Sequence, residues 1–166
     1  MAAVSIHART SYDNVEEFGA VDKHMDQVGL DAQVLTLKRS GERPLRFRGY
    51  EVCCASSHRS GPPFWYEINV FRTTEDRFFA DVRLYQKSDA FKERFTVFEA
   101  SSFEMAIDAL RSYDPVCDIP VAPFFDGDVA PVEIALQAAR LRLMMEEARS
   151  QYRDLIGDVL AQIDDR

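Results

Sequence analysis

Hydrophobic and polar residues alternate along five stretches in the middle of the chain. These stretches are residues 34–39, 45–54, 64–72, 77–87 and 94–99. A period of two is typical of β-strands, because successive side chains of a strand point to opposite faces of the sheet. Short segments with turn-forming residues separate the stretches, which favours pairing between sequential strands. The sequence therefore predicts an antiparallel sheet of about five strands.

A helical spacing of three or four residues marks the part of the chain before the sheet. Asp13 and Glu16 stand in the positions of a capping box, and Gly29 stands where a helix would end. The hydrophobic positions between them are Val15, Phe18, Val21, Met25 and Val28. This pattern predicts an N-terminal helix.

Two further helices are predicted after the sheet. Ser101 and Glu104 form a second capping box, which opens a short helix. The pair Asp114-Pro115 marks its end, and Pro131 suits the first position of a final helix. The chain then divides into an α+β domain at residues 1–113, an arm rich in proline and aspartate at residues 114–130, and a C-terminal helix at residues 131–166.

The final helix is long for a chain of 166 residues. It would measure about 50 Å, whereas a compact globule of this size is about 40 Å across. The helix therefore has to project, break at Gly157 or run along a partner. Its hydrophobic positions form a stripe wider than a coiled-coil seam, which favours packing on the sheet or on a second subunit. The residues predicted to form this contact are Leu141, Met145, Tyr152, Leu155 and Val159.

The two faces of the predicted sheet differ in composition. One face is apolar and predicts the core, whereas the other mixes aromatic rings with cations. Aromatic rings can stack on unpaired bases while cations hold phosphates, and a bulge at Gly49 would bring two arginines to this face. The candidate binding residues are Arg46, Arg48, Trp65, Phe71, Arg83, Tyr85 and Lys87. The competing interpretation is that the C-terminal helix covers this face and pairs its acidic flanks with the arginines.

The net charge of −8 is distributed unevenly along the chain. Residues 1–37 carry a net charge of −4, residues 38–96 carry +4, and residues 97–166 carry −8. A negative overall field opposes the approach of nucleic acid, so nucleic-acid binding would need a local basic patch. Pairing of the basic middle with the acidic ends, within a monomer or a dimer, is the competing explanation.

No motif in the sequence marks a catalytic or metal site. Cys53 and Cys54 are adjacent, so their thiols would point to opposite faces of a strand and could not share a metal ion. The three histidines, His7, His24 and His58, have neither metal-ligand spacing nor a nucleophile motif beside them. We therefore expect no metal, no cofactor and no enzymatic activity, although a catalytic pair assembled by the fold is an open alternative.

The sequence as a whole predicts a cytoplasmic α+β protein. Its hydrophobic content of 46% and charged content of 29% are typical of globular chains, and we expect neither a signal peptide nor a membrane-spanning segment. Three cysteines cannot form a closed set of disulfides, which favours a reducing compartment. The expected function is that of a regulatory or adaptor protein that binds proteins and forms a homodimer. The alternative is a module that binds single-stranded nucleic acid through its sheet.

Overall fold

A computed structural model of the protein describes residues 32–87, 92–121 and 130–164. The predicted N-terminal helix and much of the arm lie outside these described residues. The elements are β1 (Gln33–Leu37), β2 (Leu45–Ser56), β3 (Phe64–Thr73), β4 (Phe78–Gln86), β5 (Arg94–Ala100), α1 (Phe103–Ser112), a short 3-10 helix (Pro115–Asp118) and α2 (Pro131–Asp164). The predicted α+β fold, with five antiparallel strands and a long C-terminal helix, is confirmed.

The strands pair in the order of the chain, from β1 at one edge to β5 at the other. The sheet curls strongly, so that the segment after β1 reaches the beginning of β5. The backbone N–H of Ser40 donates to the carbonyl of Phe95 at 2.9 Å, and the N–H of Phe95 donates to Ser40 Oγ at 2.9 Å. The curl gives the sheet a concave inner face and a convex outer face.

The outer face of the sheet forms the main core with both α-helices. On β3 it carries Phe64, Tyr66, Ile68 and Val70, which are buried as the alternating pattern predicts. From the helices, the core receives Ala106, Ile107 and Leu110 of α1 and Leu141, Ala148, Tyr152, Leu155 and Val159 of α2. The C-terminal helix therefore lies on the apolar outer face. The interpretation that the C-terminal helix covers the aromatic face is therefore wrong. Part of the aromatic face is shielded by the curl of the sheet instead.

Tyrosine hydroxyl groups join the sheet to the 3-10 helix and α2 to α1 across this core. Tyr66 donates to the carbonyl of Pro115, and Tyr152 donates to the carbonyl of Leu110, each at 2.9 Å. Helix α1 begins one residue after the position that the predicted capping box of Ser101 and Glu104 implies: Ser102 is the N-cap, and its side chain accepts a hydrogen bond from the N–H of Met105 at 3.2 Å. These bonds hold α1, the 3-10 helix and α2 together at one side of the sheet.

The bulge in β2 lies three residues after its predicted position. The register shifts between Glu51 and Cys53, and not at Gly49. As a result, Phe47 packs with the aromatic residues of the inner face. Arg46 and Arg48 then point to the outer face, since neighbouring residues of a strand alternate. The prediction that these two arginines share a face with Trp65 is wrong for this reason.

Candidate functional site

Four cross-strand pairs between β3 and β4 line the inner face. From one end to the other they are Trp65–Tyr85, Glu67–Arg83, Asn69–Asp81 and Phe71–Phe79. The face therefore has an aromatic end, a polar middle and an apolar end. Four of the seven candidate binding residues, namely Trp65, Phe71, Arg83 and Tyr85, belong to this set.

The apolar end of the inner face is a second, smaller core. The ring of Phe47 lies 5.9 Å from the ring of Phe71 and 4.7 Å from that of Phe79. Leu37 of β1 is buried against the same rings, because the curl brings β1 across the sheet. Phe71 is thus a core residue, and its side chain is not available to a ligand.

The polar middle is built around Asp81, whose side chain is wholly buried. Its Oδ2 accepts a hydrogen bond from Nε of Arg83 at 2.6 Å, which engages one of the predicted binding cations. Oδ1 of Asp81 and Nδ2 of the facing Asn69 have no hydrogen-bond partner among the described residues. Burial raises the pKa of Asp81 to about 6, while the nearby Arg83 acts in the opposite direction.

The raised pKa of Asp81 makes the stability of the protein depend on pH. The folded protein binds this proton more tightly than the unfolded chain does, so the contribution to stability is complete below about pH 4 and is lost as the pH rises through about 6. We expect Asp81→Asn to lack this loss. Urea unfolding of both proteins at pH 4.5 and 7.5 measures this difference. The free energy of unfolding of the wild type minus that of the variant should be lower by about 1–2 kcal/mol at pH 7.5 than at pH 4.5. A difference that is constant with pH would contradict the expectation.

The aromatic end of the inner face is half-buried. The rings of Trp65 and Tyr85 are stacked, with centroids 5.4 Å apart, and Phe95 and His58 contact them edge-on. The best faces for stacking a base are therefore partly used within the protein. Lys87 is exposed just after β4, two residues beyond Tyr85.

Helix α2 is anchored to the sheet by polar contacts as well as by its apolar stripe. Gln151 is buried, accepts from Oγ of Ser57 at 2.7 Å and donates to the carbonyl of Phe64 at 3.4 Å. Arg59 forms an ion pair with Glu147 at 2.6 Å. These contacts fix the direction in which the rest of the helix leaves the sheet.

The first part of α2 projects beyond the sheet. All six residues from 131 to 136 are exposed, and residues 131–139 contain one charged side chain, that of Glu133. A second stripe lies on the side of the helix opposite the core, with the spacing 4-3-4. We call it the outer stripe, and its members are Val132 (82% exposed), Leu136 (52%), Ala139 and Leu143 (65%).

The outer stripe was not among the residues predicted from the sequence. Its 4-3-4 spacing is present in the sequence, but the stripe on the opposite side of the helix, through Leu141 and Tyr152, has the same spacing and is longer. Sequence alone therefore pointed to the inner stripe as the contact surface. Four of the five predicted contact residues are buried in the core of the same chain, and Met145 is partly buried against it.

The described residues do not form a recognisable catalytic centre. A cleft of about 250 Å³ lies between α2 and the segment 56–59, and it is lined by side chains that include His58, Asp154 and Asp158. No group of three His, Cys, Asp or Glu residues within the described ranges is arranged to hold a metal ion. The thiol of Cys54 has its pKa raised to about 11 by burial and by the adjacent Glu51, so it is protonated at neutral pH.

Comparisons with known proteins add no further assignment. No protein-family model, no curated protein and no solved structure matches the chain. In the part of the chain that the structure describes, no helix is both long and apolar enough to cross a membrane.

Proposed function

We propose that this protein is a non-enzymatic adaptor or regulatory protein of the cytoplasm that acts by protein–protein binding. The projecting part of α2 is its binding element. The observation that carries this proposal is the outer stripe, in which Val132, Leu136 and Leu143 are each more than half exposed. Cys53, Cys54 and Cys117, which all lie within the described ranges, are not joined by disulfide bonds, and this supports a reducing compartment.

A helix that is apolar on nearly all sides is stable in water only when another surface covers it. The projecting part of α2 has this character, because Glu133 is its single charged residue before Arg140. The outer stripe has the 4-3-4 spacing that two packed helices use. The anchored part of α2 holds the stripe in place, so little conformational freedom is lost on binding.

A photocrosslinking amino acid placed at Leu136 tests this function in the cells that produce the protein. We expect illumination to give adducts of discrete mass, whose components are identified by mass spectrometry. Ser150 is the matched control, because it lies on the same side of α2 but beyond the stripe and among polar residues. No adduct from position 136, or equal adducts from both positions, would contradict protein binding at the stripe.

The alternative function, binding of single-stranded nucleic acid, has support from the half-buried stack of Trp65 and Tyr85. It is weaker because Arg83 is paired with Asp81, and because Arg46 and Arg48 lie on the outer face. The emission of Trp65, the only tryptophan, should therefore be unchanged by oligo-dT at low salt. A quenching that disappears at high salt would favour the alternative.

A further inference from the structure

We infer that the occupant of the outer stripe is a second copy of this chain, bound through the same stripe in the antiparallel direction. This inference rests on the proposed function and names its partner. The outer stripe lies opposite the face of α2 that packs on the sheet. Two such helices can therefore meet while the two sheets remain on the far sides of the pair.

The side chains of the stripe are complementary to one another in this arrangement. An antiparallel register that matches Val132 with Leu143 of the partner subunit also matches Leu136 with Ala139 of the partner subunit. In the two central pairs, the large side chain of Leu136 therefore faces the small Ala139 of the partner subunit, which lets the two helices approach closely. Every member of the stripe is covered in this register.

Charge supports the antiparallel direction. Glu133 and Arg140 are seven residues apart and lie on the same flank of the stripe. In an antiparallel pair with two-fold symmetry, the same flank of the stripe on each helix meets that of the other helix. Glu133 then lies beside Arg140 of the partner subunit, and the symmetry makes this contact occur twice. Neither side chain forms an ion pair with a described residue of its own chain. Glu133 accepts a hydrogen bond of 3.5 Å from the neutral amide of Gln137, which leaves its charge available for an ion pair with a partner subunit.

A parallel pair would use different charges, and these are already engaged. It would bring Arg142 beside Glu147 of the partner subunit. Within its own chain, however, Arg142 binds Glu146 at 2.9 Å and Glu147 binds Arg59 at 2.6 Å. The parallel arrangement would have to compete with these contacts, whereas the antiparallel one does not.

The length of the stripe sets the strength of the dimer. It occupies about three turns, or roughly 17 Å of helix, and polar residues follow on this side from Glu146 onwards. A contact along so short a stretch of helix buries less surface than the roughly 1,200–2,000 Å² that standard stable interfaces bury. We therefore expect a reversible dimer with a dissociation constant in the range of about 1–100 µM.

A charge exchange between two variants tests both the partner and its direction. Glu133→Arg and Arg140→Glu each place like charges together twice in the antiparallel dimer. Sedimentation of each variant alone should show the dissociation constant raised about tenfold. In an equimolar mixture, the two variants carry opposite charges at both contacts, so a heterodimer should form at about the wild-type concentration. Both residues are exposed, and circular dichroism should confirm that the fold is unchanged.

The possible outcomes separate this inference from the proposed function. Dimer formation by the wild type, weakening in each variant and recovery in the mixture would support the antiparallel dimer. A wild type that is monomeric at 500 µM would overturn self-association, whereas adducts of a different protein at position 136 would still support protein binding. Weakening without recovery in the mixture would overturn the antiparallel direction.

Discussion

Gly49→Ala is expected to destabilise the protein by about 3 kcal/mol or more, which is a large part of the stability of a domain of this size. An added Cβ at Gly49 would lie 2.2 Å from the carbonyl oxygen of Arg72 and 3.0 Å from Cα of Thr73. Both are backbone atoms of β3, which is paired with β2 at this point. They cannot turn away as a side chain could, so the two strands would have to separate.

Urea unfolding of this variant should be compared with that of Gly157→Ala. Gly157 lies within α2, and an added Cβ there meets no atom within 4 Å apart from its chain neighbours and the backbone of its own helix. Alanine is favoured over glycine in a helix, so this control should be more stable than the wild type by up to about 1 kcal/mol. Equal stabilities for the two alanine variants would show that β2 and β3 are not as close at Gly49 as described.

Leu155→Ala is the second substitution with a large expected effect. Leu155 is 1% exposed and belongs to the core that α2 forms with the outer face of the sheet. Removing a buried leucine leaves a cavity and costs about 2–5 kcal/mol. Thermal or urea unfolding measures this loss, which should be accompanied by little change in the fold at low temperature.

Leu143→Ala is the matched control on the same helix. Leu143 is 65% exposed on the outer stripe, so its truncation should change the free energy of unfolding of the monomer by no more than about 0.5 kcal/mol. The same change should weaken the dimer, because it removes a large side chain from the contact. If Leu155→Ala were as mild as Leu143→Ala, α2 would not be anchored on the sheet as the structure describes.

Local patterns were sufficient to predict most elements of the fold. The alternation in β3 and β4 correctly separated the core residues, such as Ile68 and Val82, from Trp65 and Arg83 on the opposite face. The serine pair before α1 marked the start of that helix to within one residue, and Pro131 marked the start of α2 correctly. Such signals depend on residues close together in the chain, and this is why sequence reveals them.

The position of the bulge in β2 could not be read in the same way. A shift of one residue turns every later side chain to the other face of the sheet. The pattern around Gly49 allowed several positions, and only pairing with β3 decides between Gly49 and the site after Glu51. Because the bulge follows Glu51 and does not lie at Gly49, Arg46 and Arg48 are not on the same face as the other candidate binding residues.

The sequence by itself determined five strands, their internal faces, and a final helix too long for a compact chain of this size. Tertiary structure alone decided which face that helix covers and what becomes of the charges. The curl of the sheet brings together Ser40 and Phe95, which are 55 residues apart in the chain. The curled sheet buries Asp81, which pairs with Arg83. Helix α2 then packs on the outer face, where Val132 and the rest of the outer stripe are exposed. Alternation relates residues of one strand to one another, but burial depends on which distant elements meet.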